Sequence, residues 1–244
     1  IRIECGHPER LSPRPAPPAW AITLYQIKIC GITRVPDAQL VALAGADAIG
    51  LNFYPDSSRY IACDVAEKVS SLLSGRVMRV GVFVNASADQ IRQTAETLQL
   101  DSIQLHGDET PEFMAEFPDH PIVKAFRFGE HGVDKVRRFL EKGKRLGKLP
   151  NAVLVDACQP GEFGGTGEQA DWEAVRQLHD LLEGIPLVLA GGLTPFNVDA
   201  AIATTKCAAV DVASGVESKP GQKDPLLVRA FVNTARKAFE ALNG

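Results

Sequence analysis

From Tyr25 onward, short apolar, β-branched runs alternate with longer amphipathic segments. The apolar runs fall at 26–30, 48–53, 79–84, 102–105, 122–126, 152–156, 187–190 and 209–213. They have the length of strands and are apolar on both faces, the pattern of a parallel sheet covered on each side. Between them, helical periodicity is expected at 36–45, 64–74, 88–98, 111–117, 133–146, 172–182, 195–203 and 225–242. Start signals accompany several of these. Thr110-Pro111, Thr194-Pro195 and Asp224-Pro225 each put a capping oxygen before a first-turn proline. Gly45 and Gly75 stand where helices should stop.

Eight strand–helix units in series require crossover helices and therefore parallel strands. An open doubly wound sheet is the alternative arrangement. The regular repeat lacks a nucleotide-binding fingerprint, which favours closure into a single (β/α)8 TIM barrel over 23–244. Residues 1–22, broken by Pro13-Arg14-Pro15-Ala16-Pro17-Pro18, read as an irregular extension without the apolar core of a signal peptide.

Composition narrows the function classes. Hydrophobic residues make up 45% and charged residues 23% of the 244, an ordinary balance for a globular protein. A formal charge of −4 gives no basic field for nucleic acid or an anionic membrane. No apolar run approaches the roughly 18 residues needed to cross a bilayer. Cys5, Cys30, Cys63, Cys158 and Cys207 are odd in number and widely spaced, with no CxxC pair. That argues against a disulfide framework or a zinc site and for a reducing, cytoplasmic setting. A small-molecule partner fits better than a macromolecular one, and the sequence favours neither a monomer nor a homodimer.

In a closed α/β barrel, chemistry sits where strands end. Cys30 closes the first run, Arg59 lies in the loop after the second, and His106 follows the fourth. Asp156 closes the sixth run, and Asp211 and Ser214 lie at the end of the eighth. Glycines cluster late in the chain: Gly164-Gly165-Thr166-Gly167 after the sixth run, Gly191-Gly192 after the seventh and Gly215 after the eighth. Backbone N–H groups there can approach an anion closely, and the loops after strands seven and eight commonly hold phosphate in this fold. Each residue also has an ordinary explanation. A lone cysteine by a strand is usually a small buried hydrophobe, and a loop arginine is often solvated. An aspartate ending an apolar run is harder to dismiss, because an unpaired buried carboxylate is costly.

Taken together, KICGIT (28–33), GADAIGLNFYPDSSRYI (45–61), GVFVN (81–85), LDSIQLHGDE (100–109), VLVDA (153–157), GEFGGTGEQADW (161–172), LAGGLTPFNV (189–198) and VDVASGVESKPGQKD (210–224) resemble the phosphoribosylanthranilate isomerase family of tryptophan biosynthesis. The resemblance implies an Amadori rearrangement of a phosphoribosyl substrate. It makes Asp156 the general acid and Cys30 the general base, with no metal, flavin or pyridoxal cofactor. It further implies that Arg59 grips the substrate's carboxylate and that Gly165, Gly191, Gly192, Ser214 and Gly215 surround its phosphate. His106 and Asp211 become supporting pocket residues. The chain departs from the family pattern at Leu51-Asn52, where a more apolar pair is usual, at Ser58, where proline is, and at Ala213, where serine is. The alternatives are a different phosphosugar isomerase on the same barrel and a phospholigand-binding barrel without catalysis. The cysteine of KICGIT argues against the first. The presence of both Cys30 and Asp156 argues against the second.

Overall fold

A computed structural model describes residues 25–129, 131–157 and 172–243. The Pro-rich segment 1–22 and the glycine run 164–167, with Gly165, lie outside these residues, as do Cys5 and Cys158. The barrel strands are β1 (Ile27–Cys30), β2 (Ala48–Asn52), β3 (Met78–Phe83), β4 (Ser102–Leu105), β5 (Ile122–Arg127), β6 (Ala152–Asp156), β7 (Leu187–Ala190) and β8 (Ala209–Val212). They are hydrogen-bonded in sequence order, and β8 returns to β1 to close the barrel. Every barrel pairing is parallel.

Alternation along each strand sorts the side chains into two shells. Ile27, Ile29, Ile49, Leu51, Ile103, Leu105, Val153, Val155, Leu189 and Val210 face outward and join the large cluster that packs against the helices. The inward set is smaller in volume: Ala48, Val80, Val123, Ala125, Ala152, Leu154, Val188, Ala190 and Ala209, with Tyr25. The small inner residues leave room for Lys28 and Gln104, which share that face, and the bulky outer ones fill the sheet–helix layer.

The helices are α1 (Val35–Leu43), α2 (Cys63–Leu73), α3 (Ala88–Leu98), α4 (Pro111–Met114), α5 (Gly132–Leu146), α6 (Trp172–Arg176), α7 (His179–Leu182), α8 (Val198–Thr205) and α9 (Pro225–Asn243). Ser87 and Gln90 form a reciprocal capping box at α3, and Asp224 Oδ1 accepts the N–H groups of Leu226 and Leu227 at α9. Three helices differ from the pattern read off the sequence. The fourth stops at Met114 and runs on as tighter i→i+3 turns, with the N–H groups of Glu116 and Phe117 donating to the Phe113 and Met114 carbonyls before Pro118. The sixth is divided into α6 and α7, with the His179 ring bonded to the Thr205 carbonyl at 2.7 Å. Thr194-Pro195 opens a turn rather than a helix. Asn197 Oδ1 accepts the Thr194 N–H there, and α8 starts at Val198.

A recurring clamp fixes the lower rim. Asp47, Asp101 and Asn151 each stand just before an even-numbered strand. Each accepts the backbone N–H of a first or second residue of the preceding strand, namely Ile27 at 2.8 Å, Arg79 at 2.8 Å and Ile122 at 2.8 Å. After β8 the chain makes one 3₁₀ turn (Ser214–Val216) and an antiparallel hairpin of β9 (Glu217–Lys219) and β10 (Gln222–Lys223). Nothing in the periodicity announces that hairpin, since its strands are too short to alternate. No helix among the described residues is long and apolar enough to cross a membrane.

Candidate active site

Strand register decides which functional residues share the lumen. Lys28 pairs with Asp211, Cys30 with Gly50, and Asp156 with both Arg127 and Ala190. Residues paired in a parallel ladder point to the same face. Lys28, Cys30, Asp156 and Asp211 therefore point inward, near the C-terminal ends of their strands. His106 follows β4 and joins them there, 3.9 Å from Asp156. Cys30 and Asp156 lie three strands apart around the rim, by way of β8 and β7.

Beneath Cys30 lies a buried ion pair. Lys28 Nζ donates to Asp211 Oδ2 at 2.7 Å, and both side chains are nearly inaccessible. A Cβ on Gly50 would lie 2.5 Å from Cys30 Sγ and 3.1 Å from Lys28 Nζ, so the missing side chain makes room for both. Burial pushes the Cys30 thiol above its ordinary value; the Lys28 charge opposes this, Asp211 adds to it, and Lys223 opposes it. Burial also acts to lower the Lys28 ammonium, but Asp211, Cys30 and Tyr25 outweigh it and keep the group protonated. The remaining carboxylate oxygen, Asp211 Oδ1, is buried with no hydrogen-bond partner among the described residues.

On the far side of the mouth, Gln104 Nε2 lies 3.0 Å from His106 Nδ1. With the amide donating, Nδ1 accepts and the ring proton sits on Nε2, which faces Asp156. Burial lowers the His106 pKa against the opposing pull of Asp156 and Asp211, which favours the neutral imidazole. The loop carrying His106 is tied from below. Lys124 Nζ donates to the Gly107 carbonyl at 2.7 Å and to Glu109 at 2.9 Å, while Glu109 accepts the N–H groups of Asn85 and Gly107.

Arg59 reaches over the end of β1. Its aliphatic stem covers Gly31, where a Cβ would meet Arg59 Cδ at 2.5 Å. Its guanidinium is engaged by Glu217, Nε at 2.9 Å and Nη2 at 2.7 Å. Lys223 Nζ binds the same carboxylate at 2.8 Å. Burial works to raise the Glu217 pKa, but the two cations prevail and hold it below the ordinary carboxylate range. The loop is shaped by Asn52, whose amide donates to Ser57 Oγ and accepts the Tyr54 N–H; Ser57 Oγ in turn accepts the Arg59 N–H. Thus the unusual Asn52 is used within its own loop.

The late glycines meet at one sector of the rim. Gly191 and Gly192 have φ of 90° and 65°, a backbone shape that side chains rarely tolerate. The N–H of neither is bonded to another described residue. Gly215 follows Ser214 in the 3₁₀ turn, and a Cβ there would lie 1.8 Å from the Leu193 carbonyl oxygen. Backbone contact between the two loops therefore requires glycine. The arrangement matches the way this fold commonly presents N–H groups to a phosphate.

The sequence reading did not single out Gln104, Glu109, Lys124, Arg127, Glu217 or Lys223. For Lys124 a signal existed, a charge inside an otherwise apolar strand with both faces covered. Arg127 ends β5 beside Asp156 and is exposed. Gln104 and Glu217 carry no comparable local mark.

A family model described as N-(5′-phosphoribosyl)anthranilate (PRA) isomerase matches residues 27–234. An N-(5′-phosphoribosyl)anthranilate isomerase of Acinetobacter calcoaceticus is 45% identical over 210 residues, covering 84% of this chain and 93% of the relative. One from Myxococcus xanthus is 42% identical over 212 residues, covering 86% and 96%. The crystal structure of phosphoribosyl anthranilate isomerase from Thermotoga maritima superposes with a TM-score of 0.76 at 37% identity, covering 87% of this chain and 99% of that one. A phosphoribosyl anthranilate isomerase in complex with reduced 1-(o-carboxyphenylamino)-1-deoxyribulose 5-phosphate has a TM-score of 0.72 at 36% identity, with coverage of 87% and 99%.

Proposed function

The chain belongs to the N-(5′-phosphoribosyl)anthranilate isomerase family, and on that premise we propose a division of labour among its own residues. The enzyme converts N-(5′-phosphoribosyl)anthranilate into 1-(o-carboxyphenylamino)-1-deoxyribulose 5-phosphate, an isomerisation in tryptophan biosynthesis. Asp156 is the general acid. It gives its proton to the ribose ring oxygen as the C1–O bond breaks, and the anthranilate nitrogen supplies the electron pair that forms the iminium. Cys30 is the general base. Its thiolate takes the C2 proton, and the electrons move toward nitrogen to give the enolamine. Protonation at C1, with loss of the C2 hydroxyl proton, then yields the aminoketose. The substrate's own nitrogen is the electron sink, so the balance closes without a cofactor.

The observation that carries this reading is the placement of Cys30 and Asp156 on the inner face of one rim, three strands apart. A sugar in the mouth would present different atoms to each. The neutral His106, with its Nε2–H turned toward Asp156, is suited to donate to substrate oxygen beside the acid. Asp211 keeps Lys28 under Cys30. Gly191, Gly192, Ser214 and Gly215 receive the phosphate through backbone N–H groups. Gly165, outside the described residues, joins them by resemblance. Arg59 binds the ring carboxylate.

The test is the fluorescence of freshly generated phosphoribosylanthranilate, followed with and without the protein. Enzyme-dependent loss of signal with formation of the aminoketose is expected. Binding of a reduced product analogue without turnover would leave a phospholigand binder instead.

A further inference from the structure

The Arg59 guanidinium is aimed by a carboxylate that takes no part in the chemistry above. Glu217 has a side chain only 3% exposed, and a buried carboxylate persists only among compensating charges. It has two: Lys223, whose side chain is fully buried, and Arg59, whose side chain is 25% exposed. Two cations on one anion leave a surplus positive charge, and Arg59 is the member that presents it at the mouth. Glu217 takes the Nε edge of the fork together with one Nη2 hydrogen. The Nη1 group and the second Nη2 hydrogen remain as a two-pronged end that matches a carboxylate.

The hairpin bearing Glu217 is itself fastened to the first loop and the first helix of the barrel. Thr33 Oγ1 donates to the Gly221 carbonyl at 2.6 Å, and the Lys223 N–H donates to Asp37 at 3.1 Å. Lys223 Nζ also donates to the Ala213 carbonyl at 3.0 Å, which ties it to the end of β8. From the other end, Ser57 holds the Arg59 backbone. Both ends of the side chain are therefore fixed before any ligand arrives, and fixing a fork in advance lowers the entropy lost on binding.

We propose that Glu217 is a positioning residue for substrate selection: by gripping one edge of Arg59 it aims the other at the carboxylate on the substrate's aromatic ring. This rests on the reading of Arg59 as the group that binds that carboxylate. The experiment compares the affinities of two ligands: reduced 1-(o-carboxyphenylamino)-1-deoxyribulose 5-phosphate and its counterpart lacking the ring carboxylate. Proteins are wild type, Glu217→Gln, Glu217→Asp and Arg59→Ala, with thermal unfolding to establish that each is folded. Glu217→Asp keeps the charge but shortens the reach, and it serves if Glu217→Gln does not fold. Either Glu217 variant is expected to bind the carboxylated ligand about tenfold more weakly, and the other ligand within about twofold of wild type. Equal losses for both ligands, or none for either, overturn the proposal. If Arg59→Ala loses the preference for the carboxylated ligand and the Glu217 variants keep it, the proposal alone fails. If Arg59→Ala keeps that preference, the reading of Arg59 fails and the proposal falls with it.

Discussion

Cys30 Sγ and Lys28 Nζ flank the space that a side chain on Gly50 would fill, 2.5 Å and 3.1 Å from its Cβ position. One missing methyl group thus brings a thiol and a buried ammonium together at the end of β1. Gly50→Ala should force one of them aside. The Cys30 Cα lies only 3.0 Å from the same point, so the strand has little room to yield. A destabilisation of about 1–3 kcal/mol is expected from overpacking. On the proposed role of Cys30 as base, turnover should fall by more than substrate affinity, because either the thiol or the ammonium beside it is displaced. Thermal unfolding and steady-state kinetics on Gly50→Ala and wild type check both parts.

The thiol is raised by its buried setting, so wild-type kcat/KM is expected to climb with pH beyond the ordinary thiol value of about 8.5. Lys28 opposes that rise. Lys28→Met removes the opposition, and the basic limb should move to higher pH with a lower rate at pH 7. It also strands Asp211 in the lumen, at a cost of about 3–5 kcal/mol. A limb that stays where it is in a folded Lys28→Met protein would separate Lys28 from the base.

His106 is expected to titrate below its ordinary value of about 6.5, as burial disfavours the cation. A depressed histidine pKa means that the unfolded chain binds the proton first. The stability from the neutral ring is therefore present above about pH 6.5 and is lost as pH falls through the folded-state value. Histidine chemical shifts followed by NMR from pH 4 to 8 read this directly. A His106 midpoint above 6.5 would contradict the neutral-donor role.

Glu217 gives the corresponding effect for a carboxylate. Its pKa lies below the ordinary range because Arg59 and Lys223 prevail over burial. Its contribution is present above the unfolded value of about 4.3 and disappears as pH falls through the folded one. The melting-temperature gap between wild type and Glu217→Gln should be wide at pH 7 and close under acid conditions. A gap independent of pH would mean that the charge is not what stabilises the hairpin.

The sequence reading located the barrel strands to within a residue or two at their ends, because β-branched runs buried on both faces alternate with amphipathic ones. It also put Cys30, His106, Asp156 and Asp211 at or beside strand ends, where the structure has them on one rim of the barrel. The parts it missed depend on contacts between distant segments. Glu217 meets Arg59 across 158 positions of sequence, and Lys28 meets Asp211 across 183. The clamps of Asp47, Asp101 and Asn151 look like ordinary loop residues until the strands are laid side by side. Thr194 misled for a local reason: Asn197, three residues later, accepts its N–H and delays the helix.

The most direct test of the assignment of acid and base is the turnover of phosphoribosylanthranilate by wild type, Asp156→Asn and Cys30→Ser, followed by fluorescence in one experiment. Affinity for the reduced product analogue, measured alongside, shows that each site is intact. Wild type should consume the substrate. Each variant should fall at least about 100-fold in kcat, the usual scale of general acid–base catalysis, while binding the analogue within a few-fold of wild type. Near-wild-type turnover in Asp156→Asn, or in Cys30→Ser, would contradict that assignment.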